Sequence, residues 1–306
     1  MSVRPSIGTA PVSFGIFGAL TPDDLGRAPA RVLEAMAEAG YTGSELGPPG
    51  FFGTPERTRR AYAAAGLQVL AAYVPLHLAA SDEVVRHDLD AMRRTLEELA
   101  TAGGPGALAV LADEGDAGLV RDPFRAGDRS RGLGTGAWRR AVDRLEAARG
   151  LAHAHGVEVS FHPHYATYVQ ESWEIDRLLA TTDLPLCLDS GHFHAGGADP
   201  AAYAARHAGR INHVHVKDVH DAVLRRAEAD RDPDLEGWWA GLACPLGTGD
   251  VGLGSFLSAL WDAGYAGWLV VEQDRAPVTP DTWDSVNRDQ RHNRAWLEGA
   301  WPPPRT

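Results

Sequence analysis

Eight short apolar runs alternate along the chain with longer segments of helical periodicity, and this alternation predicts an α/β fold, a single (β/α)8 TIM barrel. Glycine follows several helical segments directly, as in Ala39-Gly40, Ala65-Gly66 and His155-Gly156, which is typical of a helix that ends before a strand. Polar residues stand at the carboxyl ends of most runs, where barrel enzymes carry their active sites. We therefore expect residues 1–306 to form one barrel domain.

The predicted strands cover residues 7–14, 43–46, 69–75, 107–112, 157–162, 185–189, 211–216 and 268–272. The helical segments between them begin with residues typical of helix N-termini, such as Thr21, Thr54 and Ser81. Strands that alternate with helices can also form an open doubly wound sheet that binds a dinucleotide. The GxGxxG string at residues 247–252 has no strand before it, so this alternative is not favoured.

The charge balance excludes several classes of partner. The chain has 306 residues, with 29 lysines and arginines against 41 aspartates and glutamates, a formal charge of −12. A nucleic-acid or membrane-surface partner is therefore not expected, because both surfaces are anionic. The two cysteines, Cys187 and Cys244, cannot form a disulfide framework. We expect a cytoplasmic protein that acts on a small molecule, and a homo-oligomer is compatible with the sequence.

The candidate functional residues stand where predicted strands end. Glu45 lies at the end of the second strand, and His77 follows the third. The last four strands end in longer polar strings: His162-Pro163-His164, Asp189-Ser190-Gly191-His192, His213-Val214-His215-Val216-Lys217-Asp218 and Glu272-Gln273-Asp274. Because the carboxyl ends of barrel strands meet on one face, these side chains are predicted to share an active site.

Four of these residues, from neighbouring strands, form a mixed nitrogen and oxygen ligand set: His162, Asp189, His215 and Glu272. Buried imidazoles and carboxylates are costly to hold together unless a cation compensates them. A mixed set suits Mn²⁺, Co²⁺, Fe²⁺ or Zn²⁺ better than Ca²⁺ or Mg²⁺, which favour oxygen ligands. We expect a divalent metal at this site, with Mn²⁺ or Co²⁺ as the first candidates and no thiolate among its ligands.

The motifs resemble the xylose-isomerase-like superfamily of sugar isomerases and epimerases, and within it the myo-inosose-2 dehydratases. The resemblance covers nearly the whole length and rests on Gly8-Thr9-Ala10-Pro11, Glu45-Leu46-Gly47-Pro48, Val74-Pro75-Leu76-His77-Leu78, His162-Pro163-His164, Leu188-Asp189-Ser190-Gly191-His192, the string from His213 to Asp218, and Val270-Val271-Glu272-Gln273-Asp274. The chain departs from the dehydratases at Phe14, Ser44, Pro49 and the stretch 225–239. The resemblance implies a metal-dependent enzyme whose metal is held by the four residues named above.

Position 162 separates two reactions. In the keto-sugar epimerases that the chain resembles, this ligand is a glutamate, and it moves protons together with the glutamate of strand eight. His162 stands there in this sequence, and an imidazole whose lone pair binds a metal cannot also act as a base. We expect loss of water from a cyclic keto-polyol such as 2-keto-myo-inositol, through an enediolate. A metal-dependent keto-sugar epimerase or aldose-ketose isomerase is the alternative.

Catalytic roles are assigned from position at the strand ends. Dehydration needs a base for the proton next to the ketone, for which Glu272 and His192 are the candidates. It also needs an acid for the departing hydroxide, for which Lys217 and His164 are the candidates.

Glu45, His77 and Trp239 are predicted to contact the substrate. For Glu45 a buried structural pairing is equally open, and Trp239 could instead anchor a loop. The segment 221–252, after strand seven, is predicted to be a long loop that covers the site.

Other functional classes have less support. A non-catalytic carbohydrate-binding barrel would bind a sugar without turning it over. The abasic-DNA nucleases of this superfamily need more metal ligands and a less acidic chain. No GxSxG string is present, so serine hydrolysis is not predicted.

Overall fold

The computed structural model describes residues 5–16, 29–125, 127–275 and 282–303. Its strands are β1 (Ser6–Thr9), β2 (Gly43–Leu46), β3 (Gln68–Leu76), β4 (Leu108–Asp113), β5 (Glu158–His162), β6 (Leu186–Asp189), β7 (Ile211–Val216), β8 (Asp218–Val219), β9 (Ala243–Cys244) and β10 (Trp268–Val271). Within these described ranges, β1 to β7 and β10 are parallel and close into a ring in the order β1-β10-β7-β6-β5-β4-β3-β2. The predicted barrel is confirmed.

Helices connect the strands and pack around the ring. They are α1 (Pro29–Glu38), α2 (Pro55–Ala65), α3 (Asp82–Ala102), α4 (Ala117–Arg121), α5 (Thr135–Ala154), α6 (Ser172–Thr181), α7 (Ser190–Ala195), α8 (Pro200–Arg206), α9 (Asp221–Asp230), α10 (Leu235–Leu242), α11 (Leu253–Asp262) and α12 (Trp283–Ala300). The Thr54 and Ser81 side chains cap α2 and α3, as the sequence predicts. The predicted start at Thr21 lies outside the described residues. None of the helices in the described part of the chain is both long and apolar enough to cross a bilayer.

Ring closure depends on two glycines in neighbouring strands. Gly8 of β1 lies opposite Gly43 of β2, and both approach the side chain of Leu70 inside the barrel. A Cβ atom on Gly8 would lie 2.4 Å from Leu70 Cδ1, and one on Gly43 would lie 2.6 Å from Leu70 Cδ2. The missing side chains therefore make room for the leucine that fills this part of the interior.

The structure corrects two sequence predictions. The first strand ends at Thr9, not at residue 14, because Pro11 has no N–H for a strand ladder and begins a 3-10 helix that ends before Gly15. The segment 221–252 is not an irregular loop. It contains α9 and α10, and β9 within it pairs with β8 and ties both helices to the end of the seventh barrel strand.

Apolar side chains fill the interior of the ring below its carboxyl ends. Leu108, Val110, Cys187 and Val270 pack there and are almost fully buried. A larger apolar layer lies between the strands and the surrounding helices. The barrel is therefore a closed, packed core, and polar side chains gather above it at the carboxyl ends of the strands.

A buried ion pair ties the loop after α4 to α6. Arg125 Nη1 and Nη2 each donate to one carboxylate oxygen of Glu174 at 2.6 Å, and Nη2 also donates to the Thr167 carbonyl at 2.9 Å. Both side chains are almost fully buried. Removing one partner would leave a charge uncompensated in a medium of low polarity.

We expect Arg125→Met to lower the free energy of unfolding by about 3 kcal/mol or more. The double variant Arg125→Met with Glu174→Met should lose less than the sum of the two single variants, because neither charge is then left alone. Chemical denaturation measures both values. The control is Arg149→Met, which removes the more exposed pair with Glu146 and should cost under about 1 kcal/mol. Equal losses at the two sites would contradict the prediction.

Candidate active site

A cavity of about 590 Å³ opens at the carboxyl ends of the barrel strands. Most of the predicted site residues line it: Glu45, His162, His164, His192, His215, Lys217, Trp239 and Glu272. Asp189 lies beneath its wall and is fully buried. Its size falls within the range of enzyme pockets for small molecules.

His77 is placed differently from the other predicted residues. It is not among the described residues that line the cavity, and its ring contacts the carboxylate of Asp88 on α3 at 3.2 Å. Asp88 also accepts the backbone N–H of His77 at 2.8 Å. The observed role of His77 is thus to hold the end of β3 against α3, and contact with a substrate stays a prediction.

Three of the four predicted ligands, Asp189, His215 and Glu272, form one cluster, and His162 lies beside it at Oδ2 of Asp189. His162 Nε2 lies 3.4 Å from it and His215 Nδ1 lies 3.5 Å from it. His215 Nδ1 also lies 3.3 Å from Glu272 Oε2. A tetrahedral ion with bonds of about 2.1 Å separates its ligand atoms by about 3.4 Å. The spacing of these nitrogen and oxygen atoms therefore fits a divalent transition metal.

The other oxygen of Asp189 fixes this carboxylate in place. Asp189 Oδ1 accepts the backbone N–H groups of Gly191 and His192 at 2.8 and 2.9 Å, and so caps α7. Because Oδ1 is engaged in this way, Oδ2 is directed toward the cluster. The strand-to-helix turn thus supplies one positioned ligand atom.

Glu45 reaches across the barrel and fixes the orientation of His215. Its Oε1 accepts from Nε2 of His213 at 2.6 Å and from Nε2 of His215 at 2.8 Å. A neutral His215 with its proton on Nε2 carries a free lone pair on Nδ1, the atom that faces Asp189 and Glu272. That Nδ1 is buried and has no hydrogen-bond partner. Such a carboxylate-histidine pair is typical of metal ligands.

Burial and charge act in opposite directions on His215. Burial acts to lower its pKa, but Cys187 and the carboxylates of Glu272 and Glu45 outweigh burial and raise that pKa well above its usual value. The surroundings therefore favour positive charge at this point of the barrel, either as a proton on the ring or as a bound cation.

Lys217 supplies a fixed positive charge beside the cluster. Its Nζ lies 3.4 Å from Asp189 Oδ2, 3.2 Å from Glu272 Oε2 and 2.8 Å from Asp274 Oδ2. Burial acts to lower the pKa of this amine, but the three carboxylates raise it well above its usual value. Gly191 leaves the space for its stem, since a Cβ there would lie 2.6 Å from Lys217 Cγ.

The two carboxylates of the cluster are held in their ionised form. Burial acts to raise the pKa of Asp189, but Lys217 and His192 lower it well below its usual value. Burial also acts to raise the pKa of Glu272, but His215 and Lys217 outweigh burial and lower that pKa to about 2. Both groups therefore carry a full negative charge near neutral pH.

Three rings form one wall of the cavity. The Trp239 ring stacks on His192 with centroids 4.8 Å apart, and the His192 and His164 centroids are 4.0 Å apart. Trp239 comes from α10, so a helix of the segment 221–252 contributes to this wall, and a covering role for the whole segment stays a prediction. The indole N–H of Trp239 donates to Asp274 at 2.6 Å, which joins this wall to Lys217.

Hydrogen bonds indicate the tautomer of His164 but not that of His192. His192 Nδ1 faces the backbone N–H of Tyr165 at 3.2 Å, and its Nε2 lies 3.1 Å from the Lys217 ammonium, so donors face both of its ring nitrogens. His164 Nδ1 donates to the Tyr165 carbonyl at 2.9 Å, which leaves its Nε2 bare. Burial is the main cause that lowers the pKa of His164 to about 3 and that of His192 well below its usual value. Both rings are therefore neutral near pH 7.

Several residues of the site escaped the sequence analysis. Asp274 lies in a polar string but received no role, and Tyr165 follows His164 without any motif of its own. Cys187 lies two residues before Asp189 on the same strand, so the alternation of side chains placed both inside the barrel. That two-residue spacing was the sequence signal that could have identified Cys187.

Asp218 accepts backbone N–H groups of residues 247–251 and so orders that glycine-rich loop.

Several named proteins are similar in sequence to this chain over most of its length. The inosose dehydratase of Erwinia tasmaniensis is 28% identical over 273 residues, which cover 86% of this chain and 88% of that protein. The rhizopine catabolism protein MocC of Rhizobium meliloti is 35% identical over 254 residues, 80% of this chain and 74% of that protein. The inosose dehydratase of Geobacillus kaustophilus is 28% identical over 296 residues, 92% of each.

Solved structures share the fold at lower identity. The IOLI protein with a bound zinc atom superposes with a TM-score of 0.68 at 17% identity, over 96% of this chain and 97% of that one. An L-ribulose 3-epimerase gives a TM-score of 0.68 at 16% identity, over 97% and 95%. The family model described as the xylose isomerase-like TIM barrel matches residues 33–299. The chain therefore belongs to the xylose isomerase-like TIM barrel family, as its strand-end motifs predict.

Proposed function

We propose that this protein is a metal-dependent dehydratase that removes water from a cyclic keto-polyol such as 2-keto-myo-inositol. The observation that carries the proposal is the ligand set with spacings near 3.4 Å, in which Glu45 accepts from Nε2 of His215 and the Nδ1 of that ring faces two ionised carboxylates. Relatives named inosose dehydratase, 28% identical over 86% and 92% of the chain, support the same reaction.

The residues that would hold the metal are His162, Asp189, His215 and Glu272. A divalent cation bound here would satisfy Nδ1 of His215, which is buried among carboxylates and has no hydrogen-bond partner among the described residues. When bound, a divalent ion would supply Lewis-acid polarisation of the substrate ketone. Mn²⁺ and Co²⁺ remain our first candidates, with Fe²⁺ and Zn²⁺ next, since a mixed nitrogen and oxygen set accepts all four.

Lys217 is the best placed acid for the departing hydroxide. It lines the cavity, and its carboxylate neighbours keep its ammonium protonated, so it has a proton to give near neutral pH. Asp274 holds both Lys217 and Trp239 and positions the acid beside the aromatic wall.

Two groups can take the proton next to the ketone. Glu272 is ionised and lines the cavity, in agreement with the role that the sequence suggests. His164 also lines the cavity, and its bare Nε2 suits a proton acceptor better than the acid role that its sequence position suggests. His192 is less suitable as the base, because the Tyr165 N–H and the Lys217 ammonium face its two ring nitrogens.

The cavity wall suits a ring-shaped polyol. Trp239 lines the cavity beside the acid, with its ring stacked on His192 and Tyr165, and this aromatic wall offers apolar surface to the C–H groups of a sugar or cyclitol. A substrate contact by Glu45 is also part of the proposal, although both of its measured bonds are to histidines. A cytoplasmic location, a homo-oligomer and a single domain over residues 1–306 stay predictions.

The reaction is tested with 2-keto-myo-inositol and the purified protein. We expect loss of one water, seen by mass spectrometry and by near-ultraviolet absorption of the enedione product. Exhaustive chelation should abolish turnover, and added Mn²⁺ or Co²⁺ should restore it. A product of unchanged mass but altered stereochemistry would favour the epimerase alternative. Undiminished turnover after chelation would overturn the metal-dependent mechanism.

We expect Glu45→Gln to weaken divalent-metal affinity by about 10- to 100-fold. The amide oxygen can accept from one imidazole, but the NH₂ group would face the other and favour the wrong tautomer. Competition with a coloured chelator measures the affinity. The matched control is Glu114→Gln, since Glu114 also lines the cavity but bonds to the Tyr73 hydroxyl. Unchanged affinity in Glu45→Gln would show that this carboxylate does not orient His215.

His162→Glu tests why the chain eliminates water instead of epimerising. A carboxylate at this position restores a second base, so we expect proton exchange at a second face of the substrate carbon. Deuterium incorporation from D₂O, followed by NMR, measures it. His162→Gln, which removes the imidazole without adding a base, should show no such exchange. If both variants behave alike, the identity of residue 162 does not select the reaction.

A further inference from the structure

We propose that a thiophilic divalent ion can occupy a second position deeper in the barrel, where it binds His162, Cys187 and His215. This inference rests on the proposed metal site, with which it shares the two histidines. It adds a sulfur ligand that the sequence analysis excluded. The ion would be of the Zn²⁺, Co²⁺ or Cd²⁺ class, which bonds to thiolates, and not of the Mg²⁺ or Mn²⁺ class.

The geometry places one ligand atom from each of the three residues within 4.8 Å of the others. Cys187 and Asp189 lie two residues apart on β6, so both side chains point into the barrel, with the sulfur one layer below the carboxylate. All three residues are almost fully buried. The same His215 also belongs to the trio with Asp189 and Glu272, so the two positions overlap at this ring.

A second observation points to a ligand at this place. Nδ1 of His162 and Nδ1 of His215 are both buried, and neither has a hydrogen-bond partner among the described residues. Buried polar atoms in proteins are nearly always satisfied, so these nitrogens point to a ligand, and two imidazoles with a thiol form the nitrogen and sulfur set that zinc sites use. A bound ion would satisfy both rings at once.

Ligand chemistry separates the two positions. Asp189 and Glu272 offer hard oxygen atoms near the cavity, whereas Cys187 offers a soft sulfur among apolar neighbours such as Val110 and Val270. A hard ion gains little from the sulfur and stays with the carboxylates. A soft ion gains a strong bond by moving inward. The barrel would then hold Mn²⁺ and Zn²⁺ at different depths.

Cobalt spectroscopy on the intact protein tests the inference. We expect the Co²⁺-loaded protein to show a sulfur-to-cobalt charge-transfer band in the near ultraviolet. Cys187→Ser should lose this band and bind Zn²⁺ at least about tenfold more weakly, with Mn²⁺ affinity unchanged. The matched control is Cys244→Ser, which removes the other buried free cysteine and should keep the band.

X-ray absorption at the zinc edge of the unmodified protein gives a measurement that needs no variant. A sulfur neighbour at about 2.3 Å from zinc supports the inference, and a shell of only nitrogen and oxygen atoms at about 2.0 to 2.1 Å overturns it. Metal analysis keeps the two proposals distinguishable. Bound metal without a sulfur neighbour overturns the deeper position and leaves the proposed function standing. Failure to bind any divalent ion overturns both the deeper position and the metal-dependent mechanism.

Discussion

Buried negative charge at the mouth of the barrel is the constraint on which the site depends. Asp189, Glu272 and Glu45 are ionised where water is nearly excluded, and such charges are tolerated only beside compensating positive charge or hydrogen-bond donors. Lys217 supplies one positive charge, and the imidazoles of His213 and His215 donate to Glu45. Nδ1 of His215 has no hydrogen-bond partner among the described residues, and this is where we propose that a divalent cation adds the remaining compensation.

The barrel positions this chemistry through its backbone. The carboxyl ends of β5, β6, β7 and β10 lie side by side in the ring, so residues far apart in the chain bring their side chains to one point. The apolar interior beneath them keeps water away and lowers the local polarity, which strengthens each electrostatic contact. Trp239, from the segment after β7, adds to the cavity wall, and the β8 and β9 pair anchors that segment to the barrel.

A family that supports both isomerisation and dehydration can choose between them through a small number of side chains. Reversible proton transfer on two faces of a carbon needs two bases, whereas elimination needs one base and one acid. In this chain the position that could supply a second base carries His162, and Lys217 is the acid that we propose. The same scaffold with a carboxylate at position 162 would be better suited to epimerisation.

The sequence by itself determined the barrel and the polar residues at the strand ends, because periodicity and strand termination are local properties. It also carried the family motifs, from which the ligand set was predicted. Only the tertiary structure decided that Glu45 orients His213 and His215 across the ring, where the partners are 168 and 170 residues apart. The tautomer of His164 and the link from Trp239 through Asp274 to Lys217 were likewise decided there. These contacts exist only once the ring has closed, so no local pattern in the chain can specify them.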